Sequence, residues 1–167
     1  MAISETSRKN VARLYGINAD RITVNLLGID FISNGQTLEK GNYVLYVGQA
    51  FPRRHLKETI LAFEKLSKEF AELKLIAIGP DKYPEPVINS LVLKVNERLG
   101  QQAVIHKDYV KDEELVELYA GARALVYVSD REAFGLPPLE ALSFGIPPVI
   151  ADNELGRELF GEYAFYV

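Results

Sequence analysis

The feature that most constrains the fold is a repeated alternation. Short apolar runs of strand length are separated by segments with a helical period. "YVLYVG" (43–48), "LKLIAIG" (73–79), "AVIH" (103–106), "ALVYVS" (124–129), "PPVIA" (147–151) and "AFYV" (164–167) are rich in β-branched and aromatic residues, as strands are. Most are apolar on successive positions, the pattern of a strand covered on both faces. Between them, "LKETILAFEKLSKEF" places Leu56, Ile60, Phe63 and Leu66 on one stripe. "VINSLVLKVNERLG" ends on Gly100 as a helix C-terminus does, and "DEELVELYAGA" offers Asp112 as N-cap with more acid in its first turn. Strand and helix in alternation give a parallel sheet with right-handed crossovers. The predicted class is α/β: a Rossmann-like parallel sheet of about six strands with helices on both faces.

The first forty residues break the rhythm. "SETSRKNVARLYG" reads as a helix closed by Gly16, "RITVNLLGID" (21–30) as a further strand and turn, and "SNGQTLEKGN" (33–42) as a polar loop. The last run, "AFYV", ends the sequence with no closing helix, so the expectation is a domain cut from something longer.

Composition narrows the chemistry. At 167 residues the chain is one domain of ordinary size, able to bury a core without staples. It has no cysteine, which excludes disulfides and thiolate metal sites, and only two histidines, which excludes a histidine-rich cluster. A net charge of −4 gives no footprint for nucleic acid. No apolar run reaches the about 20 residues of a bilayer span, and the start lacks a signal-peptide core. The expected setting is the cytoplasm, with peripheral attachment of a full-length protein to the inner membrane left open.

In an open parallel sheet, ligands gather at the carboxyl ends of the strands. The loop "VGQAFPRRHLKE" (47–58) has a strand-end glycine, Gly48, followed by Arg53, Arg54 and Lys57 around a helix start. Cations and free helix N–H groups together make an anion site, although each cation alone reads equally well as solvated surface. "IGPDKYPEP" (78–86) is a turn, with Lys82 in reach of a phosphate. In "HKDYVKDEE" (106–114), Tyr109 and Val110 can flank a flat ring, and His106 reads as a structural strand-end residue.

The densest stretch is "DREAFGLPPLEALSFGIPP" (130–148). Pro137 and Pro138 suit the first turn of a helix, where no N–H is needed, and Gly145 suits its end. The N–H groups around Phe134, Gly135 and Leu136 then face outward as donors. Glu132 follows a strand and Glu140 falls in the first helical turn. A carboxylate accepts two hydrogen bonds at once, so each suits a vicinal diol; the plain reading of Glu140 is complementation of the helix dipole. Asp130 and Glu132, two apart, also suggest a hard-cation pair, but Arg131 between them opposes one. No G-x-G-x-x-G follows a predicted strand, which disfavours a dinucleotide oxidoreductase.

"EAFGLPPLE" resembles the glutamate–seven residues–glutamate motif of family 4 glycosyltransferases of GT-B architecture. The likeness runs through "YVLYVGQAFPRRHLKETILAFEKL" and "VIHKDYVKDEELVELYAGARALVYVSDREAFGLPPLEALSFGIPPVIA". At the start, Asn25 to Asp30 resembles the family's "P-N-G-V-D" turn, with Leu26 and Leu27 as departures. The resemblance implies that Arg54 and Arg53 hold the donor diphosphate with Gly48, Gly135 and Leu136, with Gln49 where the family commonly has arginine. It implies that Glu132, Phe134 and Gly135 meet the transferred sugar, Glu140 the ribose, and Tyr109 and Val110 the base. Glu132 and Arg54 are the catalytic pair so implied.

The function implied is transfer of a sugar, with retention, from a nucleoside diphosphate to an acceptor hydroxyl, without metal or cofactor. The chain would be the donor-binding half (1–167) of a GT-B enzyme. The N-terminal acceptor domain and closing C-terminal helices would be absent, and the isolated half inactive. Expected partners are a nucleotide sugar and, through the missing domain, a glycan, lipid-linked sugar or other hydroxyl compound. The rival readings are a non-catalytic nucleotide-sugar module and a GT-B enzyme of other chemistry, such as a sugar-nucleotide epimerase.

Overall fold

The computed structural model describes residues 1–29 and 39–167. Within them one sheet is built from β1 (Tyr43–Val47), β2 (Lys74–Ile78), β3 (Val104–Lys107), β4 (Ala124–Tyr127), β5 (Pro148–Ile150) and β6 (Phe165–Tyr166). Its order is β3-β2-β1-β4-β5-β6, and the paired strands are parallel. The helices are α1 (Glu5–Tyr15), α2 (Leu56–Leu66), α3 (Ile88–Leu99), α4 (Asp112–Gly121), α5 (Leu136–Ser143) and α6 (Glu154–Phe160). This is the doubly wound order whose switch point lies between the first and fourth strands.

Two cores follow from strand alternation. On one face Tyr46, Leu75 and Ala77 pack with Leu56, Ile60 and Phe63 of α2 and Ile88 and Val95 of α3. On the other, Leu45, Val47, Leu125 and Tyr127 pack with Tyr119 of α4, Ala141 of α5 and Phe160 of α6. Leu45 and Tyr46 are adjacent and both wholly buried, which is why β1 reads as an unbroken apolar run. A wholly apolar side chain such as Leu45 contributes about 1.5–3 kcal/mol on burial. The edges of β1 and β2 converge at their carboxyl ends: a Cβ on Gly79 would lie 2.1 Å from the Gly48 carbonyl oxygen. Gly48, at φ 136, turns the chain out of β1 there.

Several local expectations change. Residues 21–29 of the run 21–30 form no strand: among the described residues they make one bridge, Val24 with Ala2. Its β-branched content met no long partner. Asp30 and residues 33–38 of the polar loop lie outside the described residues. Lys111, not Asp112, is the N-cap of α4, and Asp112 is its first residue. Leu66 leaves the stripe of α2 and is 40% exposed. Helix α6, capped by Asn153 onto Gly156 N–H, fills the interval before β6 that the apolar pattern left unassigned. Glu158 of α6 accepts from the N–H groups of Glu5 and Thr6 and so caps α1 against α6.

Candidate active site

The loops after β1 and β4 diverge at the switch point and are joined across it. Arg54 Nε donates to Glu132 Oε1 at 2.6 Å and Nη2 to Oε2 at 3.0 Å, a forked pair with both side chains only 16% exposed. Asp130 N–H donates to Arg53 O at 2.9 Å, and the His55 ring bonds Asp130 Oδ1 at 2.7 Å. His55 has φ 49, a left-handed conformation at a residue with a Cβ, costing about 1–2 kcal/mol. Arg53 lies over Phe51, 4.5 Å from its ring centroid, and donates to Arg131 O. Gln49 contributes its backbone carbonyl to Arg54 Nη1.

Burial pushes the Glu132 carboxyl up. The Arg54 hydrogen bonds and charge, joined by the Ser129 and Tyr127 hydroxyls, outweigh burial and hold it below the ordinary carboxylate range. Asp130 and Glu132, paired in the hard-cation reading, are drawn to different partners, His55 and Arg54.

The start of α5 is stripped of donors except where the chain turns. Gly135 (φ 101) is the N-cap, Leu136 the first residue, and Pro137 and Pro138 follow without N–H groups. The first helical bond is Leu139 N–H to Gly135 O, at 3.4 Å. The N–H groups of Phe134, Gly135 and Leu136 donate to no described residue. Because the prolines take the second and third positions, Glu140 is the fifth residue of α5, in its second turn rather than its first. It lies too deep in the helix for the dipole reading to be its main role. Its Oε2 accepts from the Tyr119 hydroxyl at 2.7 Å. Burial pushes its carboxyl up, and Tyr119 offsets only part of that.

A cavity of about 260 Å³ opens beside the pair. Glu132, Phe134 and Gly135 line it together with Ser129, Asn153 and Thr6. It is smaller than the about 300–1,000 Å³ that encloses a drug-sized ligand, a size that suits one moiety of a larger molecule. Arg54, Arg53, Gln49, Gly48, Leu136 and Glu140 lie outside its lining, as does the loop after β3. There Tyr109 is 75% exposed, while Val110 is turned into the core. Val110 therefore cannot flank a ring with its side chain; only its backbone remains for that task. His106 bonds Asn89 and the Gly79 carbonyl, a structural role. A second hollow, of about 320 Å³, lies between α3 and β3 and includes Asn89, Asn96 and Gln102, none of them predicted site residues.

Sequence reasoning missed Ser129, Tyr127, Tyr119 and His55. A tyrosine and a serine alternating at the end of an apolar run were the available signal for the first two. Among the described residues no helix is long and apolar enough to cross a membrane.

Comparison with known proteins agrees with this architecture. The family described as glycosyl transferases group 1 matches residues 29–165. The chain is 34% identical over 176 residues to O-antigen chain mannosyltransferase B of Escherichia coli, covering 97% of this chain and 45% of that protein. It is 28% identical over 168 residues to O-antigen chain mannosyltransferase RfbU of Salmonella typhimurium, covering 100% and 46%. It thus spans about half the length of the curated relatives it matches. Among solved structures, a pneumococcal O-GlcNAc transferase with UDP and GlcNAc superposes with TM-score 0.81 at 16% identity, covering 99% of this chain and 33% of that one. WaaG, a glycosyltransferase of lipopolysaccharide biosynthesis, gives 0.69 at 22%, covering 91% and 44%. At these identities the structures speak to the fold, one Rossmann-like half of the GT-B architecture. The family match over most of the chain settles the rest: this chain belongs to the glycosyl transferases group 1 family.

Proposed function

We propose that the chain is the donor-binding part of a glycosyltransferase moving a hexosyl group from a nucleoside diphosphate to an acceptor hydroxyl, with retention and without a metal. The mannosyltransferase names of its relatives make mannose the first sugar to try. The observation that carries this reading is the forked Arg54–Glu132 pair across the switch point, beside the N–H groups of Phe134, Gly135 and Leu136. A departing diphosphate gains negative charge as the bond from the anomeric carbon to its oxygen breaks. In this reading Arg54, Arg53 and those N–H groups stabilise that charge. The acceptor oxygen bonds to the same carbon, and its proton passes to the departing diphosphate.

Glu132 both orients Arg54 and lies in a cavity of single-moiety size with Phe134 and Gly135, which suits the sugar. Glu140 Oε1 takes no hydrogen bond from the described residues and suits the ribose hydroxyls. The acceptor side is assigned to sequence outside this chain, in keeping with the half-length match. Peripheral attachment of the full-length enzyme to a membrane is part of the same proposal.

Arg54→Ala tests it. Affinity for a nucleoside diphosphate, measured by calorimetry with the UDP, GDP, ADP and dTDP series, should fall far more than affinity for the matching nucleoside. In the full-length enzyme kcat should fall about 10²-fold or more. EDTA should change neither. Equal losses for diphosphate and nucleoside would remove Arg54 from the phosphate, and strict dependence on Mg²⁺ would overturn the metal-free mechanism.

A further inference from the structure

Tyr119 lies in the last turn of α4 and is wholly buried. It reaches α5 at two points. Its hydroxyl donates to Glu140 Oε2 at 2.7 Å, and its ring stacks on Phe144, with centroids 5.5 Å apart and planes 6° from parallel. Phe144 is the C-cap of the helix that carries Glu140. A phenylalanine would make the same stack. The hydroxyl adds a polar atom to an apolar interior, which is unfavourable unless it is matched by a partner. Glu140 is that partner.

A glutamate side chain turns about several bonds and loses that freedom when it grips a ligand. A carboxylate already held by one oxygen has lost it beforehand, so less is lost on binding. We propose that Tyr119 is a positioning residue for the donor: by holding Glu140 Oε2 it fixes Oε1 as the acceptor presented to the vicinal hydroxyls of the nucleotide. This rests on the assignment of Glu140 to the ribose. The electrostatics point the same way. Among the described residues the influences on the Glu140 carboxyl are burial, which favours the acid, and the Tyr119 hydroxyl, which favours the carboxylate. Only the carboxylate accepts on both oxygens. Helix α4 also begins directly after the Tyr109–Val110 loop, so one rigid element links that loop to the ribose glutamate.

The test uses Tyr119→Phe, which keeps the ring and removes the hydroxyl. Calorimetry of the chain with the ribonucleotides UDP, GDP and ADP selects the tightest, which is then compared with its 2′,3′-dideoxy form. The expected result is a loss of about fivefold for the hydroxyl-bearing diphosphate, the equivalent of one hydrogen bond, and none for the dideoxy form. In a Glu140→Gln background Tyr119→Phe should add nothing. Equal losses for both ligands with a lowered Tm would make Tyr119 merely structural, and no loss for either would remove it from binding; both outcomes overturn the inference and leave the ribose assignment standing. Unchanged affinity in Glu140→Gln alone would instead overturn the ribose assignment, and the inference with it.

Discussion

Glu132 and Glu140 are the same residue type, bracket one short loop and are both half-buried, yet the fold treats them in opposite ways. Glu132 faces a guanidinium that takes both its oxygens, and its carboxyl is held low. Among the described residues Glu140 faces a neutral phenol and no cation, and its carboxyl is pushed up. Burial acts on both; the group across from each decides the outcome. A carboxylate locked to a cation serves as a fixed charge and an orienter. One buried beside a hydroxyl, with an oxygen to offer, serves as a hydrogen-bond acceptor. The loop between them thus carries two different tools.

The largest effect that can break this comparison is loss of the charge at Glu132. Glu132→Gln leaves Arg54 without its counter-charge in a site where both side chains are 16% exposed. Breaking such a pair costs about 3 kcal/mol, or about 10 °C in Tm for a chain of this size. Scanning calorimetry at pH 7 checks it, and an unchanged Tm would mean the pair is no more than a surface contact. The sign with pH follows from the depressed carboxyl. Its stabilisation is present above the ordinary value of 4.5 and is lost as pH falls through the lower folded-state value. The gap between wild type and Glu132→Gln should therefore close in acid.

Glu140→Gln should do the reverse. A carboxyl raised by folding contributes stability that is complete below 4.5 and is lost as pH rises through the raised value. Above that value the fold carries a charge it disfavours. The amide should then match or exceed the wild-type Tm while nucleoside diphosphate affinity falls about tenfold, as for a hydrogen bond to a charged group. A Tm drop as large as that of Glu132→Gln would erase the distinction between the two glutamates.

The smallest expected effect lies at His55, whose ring joins the same two loops. The hydrogen bond to Asp130 raises its pKa against a smaller effect of burial. The latch is therefore complete below 6.5 and weakens as pH rises through the raised value. Asp130→Asn should lower Tm by about 2 °C or less, more at pH 6 than at pH 9. A difference independent of pH would show that the contact is not ionic.

How much of this was legible in the sequence varies with the range of the interaction. The six strands were, because residues such as Leu45 and Tyr46 are buried on opposite faces and leave an unbroken apolar run. The start of α5 was, because two prolines and a glycine fix the backbone locally. The run 21–30 was misread because β-branched content reports strand propensity and not the presence of a partner. Helix α6, seven residues long, is too short to show a period. The pair Arg54–Glu132 joins positions 78 apart, and Tyr119–Glu140 joins positions 21 apart. Topology brings these together, and no local pattern encodes it. Motif resemblance supplied the glutamates and the basic loop with Arg54, but not the direct Arg54–Glu132 bond and not Tyr119.

The most direct measurement is a backbone amide chemical-shift titration of the chain with UDP, GDP, ADP and dTDP. The largest shifts should fall on residues 48–54 and on Phe134, Gly135, Leu136 and Glu140, the two sides of the switch point. Shifts confined to the α3–β3 hollow around Asn89, Asn96 and Gln102, with residues 134–140 unmoved, would contradict a donor site held between Arg54 and the two glutamates.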